Sequence, residues 1–354
     1  MTSENAYAAL AGRSVLIIDD ENSVYFVGVD SYQKIEVPPI ARVLKRTGAH
    51  YLLIDQTGSV WTNNLTEYTN PIKLPIPAVI ENGCYGFQHA ILLDNAGGVW
   101  VCGMNFQGQL GTGNTNEAPN FVKLDLQDIV SVAAAAHSLF LDKSGTVWDC
   151  GSNDFGQLGQ NHKTSLLEPT QVLGLPAIKA ISCGMDHSIF LAETGEVWVC
   201  GKLTRGSDIE SDVFNVVTVP HKLTNIPPIT KIASGNNHGM LIDQDQKVWA
   251  IGGNYYGLLG LGDFGHRNAP EVIKTLPPIS FVLCSLYNTF FIDDNSDVWA
   301  CGDLEPFPKQ PLSLFTQFTH LIKSYFSTPI KLAIRVKTIQ EDTAPTKSAR
   351  FVAE

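Results

Sequence analysis

Long apolar runs are missing from this chain. Nothing in its 354 residues approaches the ~20 consecutive apolar residues needed to cross a bilayer, so no membrane span is expected. Basic clusters are missing as well. With 24 Lys and Arg against 35 Asp and Glu, the formal net charge is -11, and direct binding to nucleic-acid phosphates is not expected. The seven cysteines contain no C-x-x-C pair, which removes the simplest zinc and dithiol sites and reads as small core residues in a reducing compartment. No phosphate-binding G-K-[ST], serine elbow, paired-carboxylate motif or deaminase signature is found. An active site made by this chain alone is therefore not expected, nor a cofactor or metal. The opening "MTSENAYAALAGRSVLIIDDENS" lacks the positive region of a secretory signal, and a cytoplasmic location is expected.

What the chain has in quantity is turn residues, 30 Gly and 19 Pro, and one phrase written many times. All six tryptophans, Trp61, Trp100, Trp148, Trp198, Trp249 and Trp299, follow a valine, and Tyr25 after Val24 makes a seventh copy. From Tyr25 onward these positions are 36, 39, 48, 50, 51 and 50 residues apart, the spacing of propeller blades or solenoid units. Eleven residues before the aromatic stand Ser14, His50, His89, His137, His187, His238 and Asn288. Six before it stand Asp19, Asp55, Asp94, Asp142, Ala192, Asp243 and Asp293, and three before it Gly58, Gly97, Gly145 and Gly195. An Asp that opens a turn and a Gly that accepts positive φ join two short strands, as in "HSIFLAETGEVWVCG". Both strands are apolar on successive residues, so both faces are covered.

A further strand candidate precedes each register histidine position, as in "ITKIASG", and a Pro-led one such as "EPTQVLGL" precedes that. Four strands per copy, with no helical periodicity, predict an all-β protein: a seven-bladed β-propeller of four-stranded blades, closed by pairing of N- and C-terminal segments. A segment near 308–325 is expected to complete the blade that begins at residue 6. Residues 1–338 form the propeller, and the polar stretch 339–354 reads as a tail. The tryptophans are assigned to the layers between blades, and His50, His89, His137, His187 and His238 to hydrogen-bonded structural positions, since equivalent points on a ring lie too far apart to share a metal at ~2 Å.

Three copies continue with "CGMNFQGQLGTG" (102–113), "CGSNDFGQLGQ" (150–160) and "IGGNYYGLLGLG" (251–262). Joined to the hairpin phrase, these resemble the regulator of chromosome condensation repeat over about residues 6–325. The resemblance implies a seven-bladed propeller that binds a protein partner with one face. Members of that family include an exchange factor for the small GTPase Ran, bacterial effectors acting on host GTPases, ubiquitin-ligase domains and an inhibitor of β-lactamases. A Ran-like small GTPase is thus the expected partner and guanine-nucleotide exchange the expected activity. The alternative is a non-catalytic scaffold or enzyme inhibitor. Nearly uniform spacing from Trp100 onward, without a basic tail, points to an effector-like member working in a host cytosol. On rigid propellers loops carry function. The partner-binding candidates are Phe106, Phe155, Tyr255 and Tyr256 in the N-x-x-G connections, with Lys202, Arg205, Asp208, Glu210 and Asp212 in the divergent "GKLTRGSDIESDVFN".

Overall fold

The turn between each pair of apolar strands is built around its aspartate. Asp55 Oδ1 accepts the Thr57 and Ser59 amides at 2.8 and 3.0 Å, which closes the turn, while Oδ2 accepts the Trp61 indole N–H at 2.9 Å. The same Asp-to-indole bond recurs at Trp100, Trp148, Trp249 and Trp299, at 2.9 to 3.2 Å. Positive φ at the third turn position is taken by Gly58, Gly97, Gly145 and Gly195, and also by Gln246 and Ser296 at 61° and 64°. The turn geometry therefore overrides residue preference in the last two copies.

A computed structural model describes residues 6–11, 14–18, 24–27, 32–45, 51–62, 71–203, 216–303, 325–335 and 352–353. It contains seven antiparallel sheets. Sheet one is Ala6–Ala11, Ser14–Ile18, Val24–Val27 and Tyr32–Ile35; sheet two is Ile40–Lys45, Tyr51–Asp55, Val60–Thr62 and Ile72–Lys73. Sheet three is Ile80–Tyr85, His89–Asp94, Val99–Gly103 and Ala118–Lys123; sheet four is Ile129–Ala134, His137–Asp142, Val147–Gly151 and Leu166–Gln171. Sheet five is Ile178–Cys183, His187–Ala192, Val197–Gly201 and Val217–Lys222; sheet six is Ile229–Ser234, His238–Asp243, Val248–Gly252 and Arg267–Val272. Sheet seven is Ile279–Cys284, Asn288–Asp293, Asp297–Asp303 and Tyr325–Arg335.

The first strands of sheets two to seven all line one cavity of about 520 Å³, so they surround a common axis. Second strands are buried on both faces, as in His187–Ala192, whereas outer strands such as Leu166–Gln171 are mostly exposed. Each seam between sheets is filled from both sides. Val132, Phe140, Cys150 and Trp148 of sheet four pack on Ile91, Val99 and Val101 of sheet three, and Phe190 and Trp198 of sheet five pack on Leu139, Leu141 and Val147 of sheet four. Truncating one such tryptophan to Ala removes packing worth about 3 to 5 kcal/mol.

The N- and C-terminal segments do pair: Ala6 faces Ala353 and Tyr7 faces Val352, and this short strand also lies against Tyr325–Arg335. The segment expected to complete the first blade needs correction. The Pro-led strand belongs to the preceding tryptophan strand, with Trp148 opposite Gln171 and Trp100 opposite Lys123, so every sheet takes four consecutive strands. Sheet one is completed by Tyr32–Ile35, and the strand beginning at Tyr325 completes sheet seven. The rest of 308–325 lies outside the described residues.

Sheet five breaks the hairpin rule. Ala192 stands in the aspartate position, and the buried Trp198 indole nitrogen has no partner among the described residues. Restoring the acceptor with Ala192→Asp is expected to stabilise the fold by about 1 kcal/mol, the net worth of one hydrogen bond, raising Tm by about 2 °C in a chain of this size. A calorimetric Tm that stays level or falls contradicts this account of the turn.

A candidate protein-binding face

Because strands alternate in direction, the connection between first and second strands and that between third and fourth strands emerge at the same end of every sheet. The aspartate turns lie at the other end. Backbone bonds knit the two kinds of connection together: Met104 N–H to Gln88 at 2.9 Å, Gly253 to Asn237 at 2.7 Å and Asp303 to Tyr287 at 2.7 Å. Neighbouring sheets are joined there as well, Phe87 N–H to Ala135 at 2.8 Å and Met185 N–H to Asn236 at 2.9 Å.

The long N-x-x-G connections are held from inside. Asn105 Oδ1 accepts the Leu110 amide at 2.9 Å and its Nδ2 donates to the Asn114 carbonyl at 2.8 Å; Asn153 and Asn254 repeat this pattern. Leu110, Leu158 and Leu259 plug the loops into the core. The residue before each leucine turns its carbonyl toward the next sheet. Ser138 donates to Gln109 O at 2.6 Å, Ser188 to Gln157 O at 2.8 Å and Thr289 to Leu258 O at 2.9 Å. With its proton committed to the carbonyl, each hydroxyl oxygen accepts from a histidine of the earlier sheet: His89, His137 and His238 Nε2 lie 2.8, 2.7 and 3.0 Å away. Cys200 and Cys301 point their thiols at the same carbonyls, at 3.0 and 3.2 Å. The "GQLG" phrase is a clasp between blades.

His50 lies outside the described residues. His187 is fully buried, yet neither ring nitrogen has a partner among the described residues, because the next sheet offers Gly239 where the others offer a hydroxyl.

The candidate rings are spread over this end. Phe106 is 67% exposed and Tyr255 46%. Tyr255 stacks obliquely on His266 with ring centres 4.4 Å apart, and the half-buried Tyr256 meets Tyr287 edge-on at 5.4 Å. Phe155 is half-buried, with Lys202 Nζ 5.5 Å from its ring centre, a contact that spans sheets four and five. Arg205, Asp208, Glu210 and Asp212 lie outside the described residues. Sequence reasoning missed Phe87, Phe264 and Tyr287, each exposed at this same end. Phe87 and Tyr287 sit in the short first-to-second-strand turns, two and one residues before the register position, where sheets four, five and six carry Ala135 and Ala136, Met185 and Asp186, and Asn236 and Asn237; that departure was the available signal. Thus all five strongly exposed aromatics among the described residues gather at one end. The exposed aliphatics Ile72, Val122, Leu167 and Val219 belong to outer strands, Val130 to the first strand of sheet four, and Val79 and Leu173 to the opposite end.

Electrostatics at the buried positions oppose catalysis. Burial pulls His137 and His187 down to about 3 and His238 to about 4, so none of these is a general base poised near neutrality. Burial pushes the Cys102 thiol up to about 12 and raises Cys84, Cys183 and Cys284 as well, leaving protonated, weakly nucleophilic sulfurs. Among the described residues no group of His, Cys, Asp and Glu could hold a metal ion, and no helix is long and apolar enough to cross a membrane.

Fold and face together define a β-propeller whose exposed rings are collected on one rigid end. Regulator of chromosome condensation repeats are found between residues 96 and 258. Sequence models of the "Regulator of chromosome condensation (RCC1) repeat" match residues 96–141 and 144–191, and a second model of the same repeat matches 178–206 and 229–258. No curated protein sequence matches the chain significantly. Among solved structures, Prp20p from Saccharomyces cerevisiae, described with its binding properties to Gsp1p and histones, is 23% identical. The match covers 79% of this chain and 80% of that one, with a TM-score of 0.65. Human WBSCR16 is 19% identical over 87% and 86% of the two chains, TM-score 0.69. Yeast RCC1 (Prp20) bound to Kap60 is 18% identical over 83% and 74%, TM-score 0.68. These likenesses concern the fold.

The depressed histidines set an acid limit. Unfolded, His137, His187 and His238 take up protons below about 6.5, whereas in the fold they stay neutral down to about 3 or 4. Their contribution is complete above pH 6.5 and is lost as pH falls, at up to about 1.4 kcal/mol per pH unit for each. Asp149, buried and raised by desolvation, binds a proton more readily folded than unfolded and opposes one of the three. Denaturant midpoints should therefore fall between pH 7 and 5, and a flat profile over that range contradicts the burial of neutral imidazoles.

Proposed function

We propose that the aromatic end docks a protein partner, a small GTPase of the Ran type, and promotes release of its bound nucleotide in the cytosol. The observation that carries this reading is the collection of Phe87, Phe106, Tyr255, Phe264 and Tyr287 at one end of a scaffold whose loops are clasped to the next blade. Rigid aromatics lose little rotamer freedom on docking, and such anchors carry most of an interface's energy. Exchange asks for no acid, base or metal. It requires only that the propeller bind the nucleotide-free GTPase more tightly than the loaded one. The net charge of -11 favours encounter with a basic patch on the partner. Support for this partner class comes from Prp20p, whose described binding to Gsp1p and histones belongs to a propeller of the same fold.

The test is release of labelled GDP from a panel of Ran-type and other small GTPases. Acceleration of at least about tenfold on one of them is expected, and Phe106→Ala with Tyr255→Ala should weaken binding to that GTPase by about 2 kcal/mol or more, with Tm nearly unchanged because both rings are exposed. Binding without acceleration on any GTPase leaves a scaffold or inhibitor. Affinity within about 0.5 kcal/mol of the parent protein removes the aromatic end as the docking surface.

A further inference from the structure

The repeats disagree at one place, and the disagreement has a chemical sense. In register opposite the tryptophan, the outer strand supplies Lys73 in sheet two, Lys123 in three, Lys222 in five and Lys331 in seven. Two of these lysines cover the indole: Lys123 Nζ lies 5.5 Å from the Trp100 ring centre and Lys331 Nζ 5.9 Å from that of Trp299. Lys123 also pairs with Asp94 at 3.6 Å, the carboxylate that holds the same indole N–H. In sheet three the unit is a triad of aspartate, tryptophan and lysine, in which one ammonium meets a carboxylate and a π face together; in sheet seven Lys331 pairs instead with Asp297, while Asp293 holds the Trp299 indole.

Sheet four has the first two members only. Asp142 holds the Trp148 indole at 3.2 Å, but the residue opposite Trp148 is Gln171. Sheet six also lacks the lysine, though there Val272 gives Trp249 an apolar cover. Trp148 differs again in its surroundings. It lines a groove of about 950 Å³ along the seam of sheets three and four, running from the Gly111–Glu117 connection past Val122 to Gln127. Four carboxylates line that groove, Glu117, Asp125, Asp142 and Glu168, against one cation, Lys123, which is already engaged with Asp94 and Trp100. Nearby Lys143 is paired with Asp128 at 2.6 Å. Val122 is 39% exposed beside the groove.

We propose that this groove takes an extended segment of a partner protein carrying a Lys or Arg side chain, whose cationic head occupies over Trp148 and beside Asp142 the place that Lys123 holds over Trp100 and beside Asp94 in sheet three. An ammonium or guanidinium there meets the π face and the carboxylate together, and Glu117, Asp125 and Glu168 attract further positive charge on the segment. The groove runs along the rim from the Gly111–Glu117 connection toward the aspartate turns and is lined by none of the exposed rings, so this proposal stands or falls apart from the exchange reading.

The experiment titrates the full chain by calorimetry, at low ionic strength, with an acetylated and amidated hexapeptide of alternating Thr and Arg, and with its citrulline counterpart. The arginine peptide is expected to bind and the citrulline peptide to bind at least about tenfold more weakly. Gln171→Lys completes the triad from within and should weaken the arginine peptide about tenfold or more, without loss of Tm, and so should Glu117→Lys with Glu168→Lys. Glu193→Lys, a larger single charge change than Gln171→Lys but placed in a turn of sheet five, should alter affinity less than about twofold. The proposal is overturned if Gln171→Lys leaves affinity within twofold, if Glu193→Lys weakens binding as much, or if the citrulline peptide binds equally well.

Discussion

Wherever this chain writes its long loop phrase, a buried hydroxyl joins two blades deep in the seam. Ser138, Ser188 and Thr289 each accept from a histidine and donate to a carbonyl of the preceding sheet. In a low-dielectric interior such a chain of bonds is strong when complete and costly when interrupted. Apolar packing fills the seams, but packing tolerates sliding. The hydroxyl fixes the height of one sheet against the next, and with it the position of the loop that carries the exposed rings.

Much of this architecture was legible in the repeat. The tryptophan register gave the number of sheets, and the Asp and Gly positions gave the hairpins. What the register could not give was which tryptophan strand a Pro-led strand joins, since that depends on pairing across a connection of a dozen or more residues rather than on local chemistry. The clasp was written in the sequence and went unread. A hydroxyl follows the register position at Ser138, Ser188 and Thr289, in each case one copy after a long phrase. It is replaced by Ala90 and Gly239 where the preceding copy lacks that phrase. Phe106 and Tyr255 were found because their loops are conspicuous. Phe87 and Tyr287 escaped because a three-residue turn carries no periodicity, and only the assembled ring shows that it shares an end with the longer loops.

The two ends of the molecule do different work with the same polar chemistry. Carboxylates at the turn end are used up locally: Asp55, Asp94 and Asp142 are held below the ordinary carboxylate range because turn amides and indole N–H groups outweigh the cost of burial. The loop end spends asparagine and glutamine on its own backbone, which leaves aromatic faces rather than charge for contact with other molecules. Separating the two keeps the structural aspartates away from the exposed rings.

The gap beside His187 has a mechanical meaning. A ring of links is only as strong as its least fastened joints, and between sheets five and six the clasp hydroxyl is replaced by Gly239, which leaves backbone bonds such as Gly253 N–H to Leu203 and Met185 N–H to Asn236 to join them. Pulled or heated, such a ring does not loosen evenly; the joints at Ala90 and Gly239 yield before the clasped ones, and a single opening turns the closed circle into one arc.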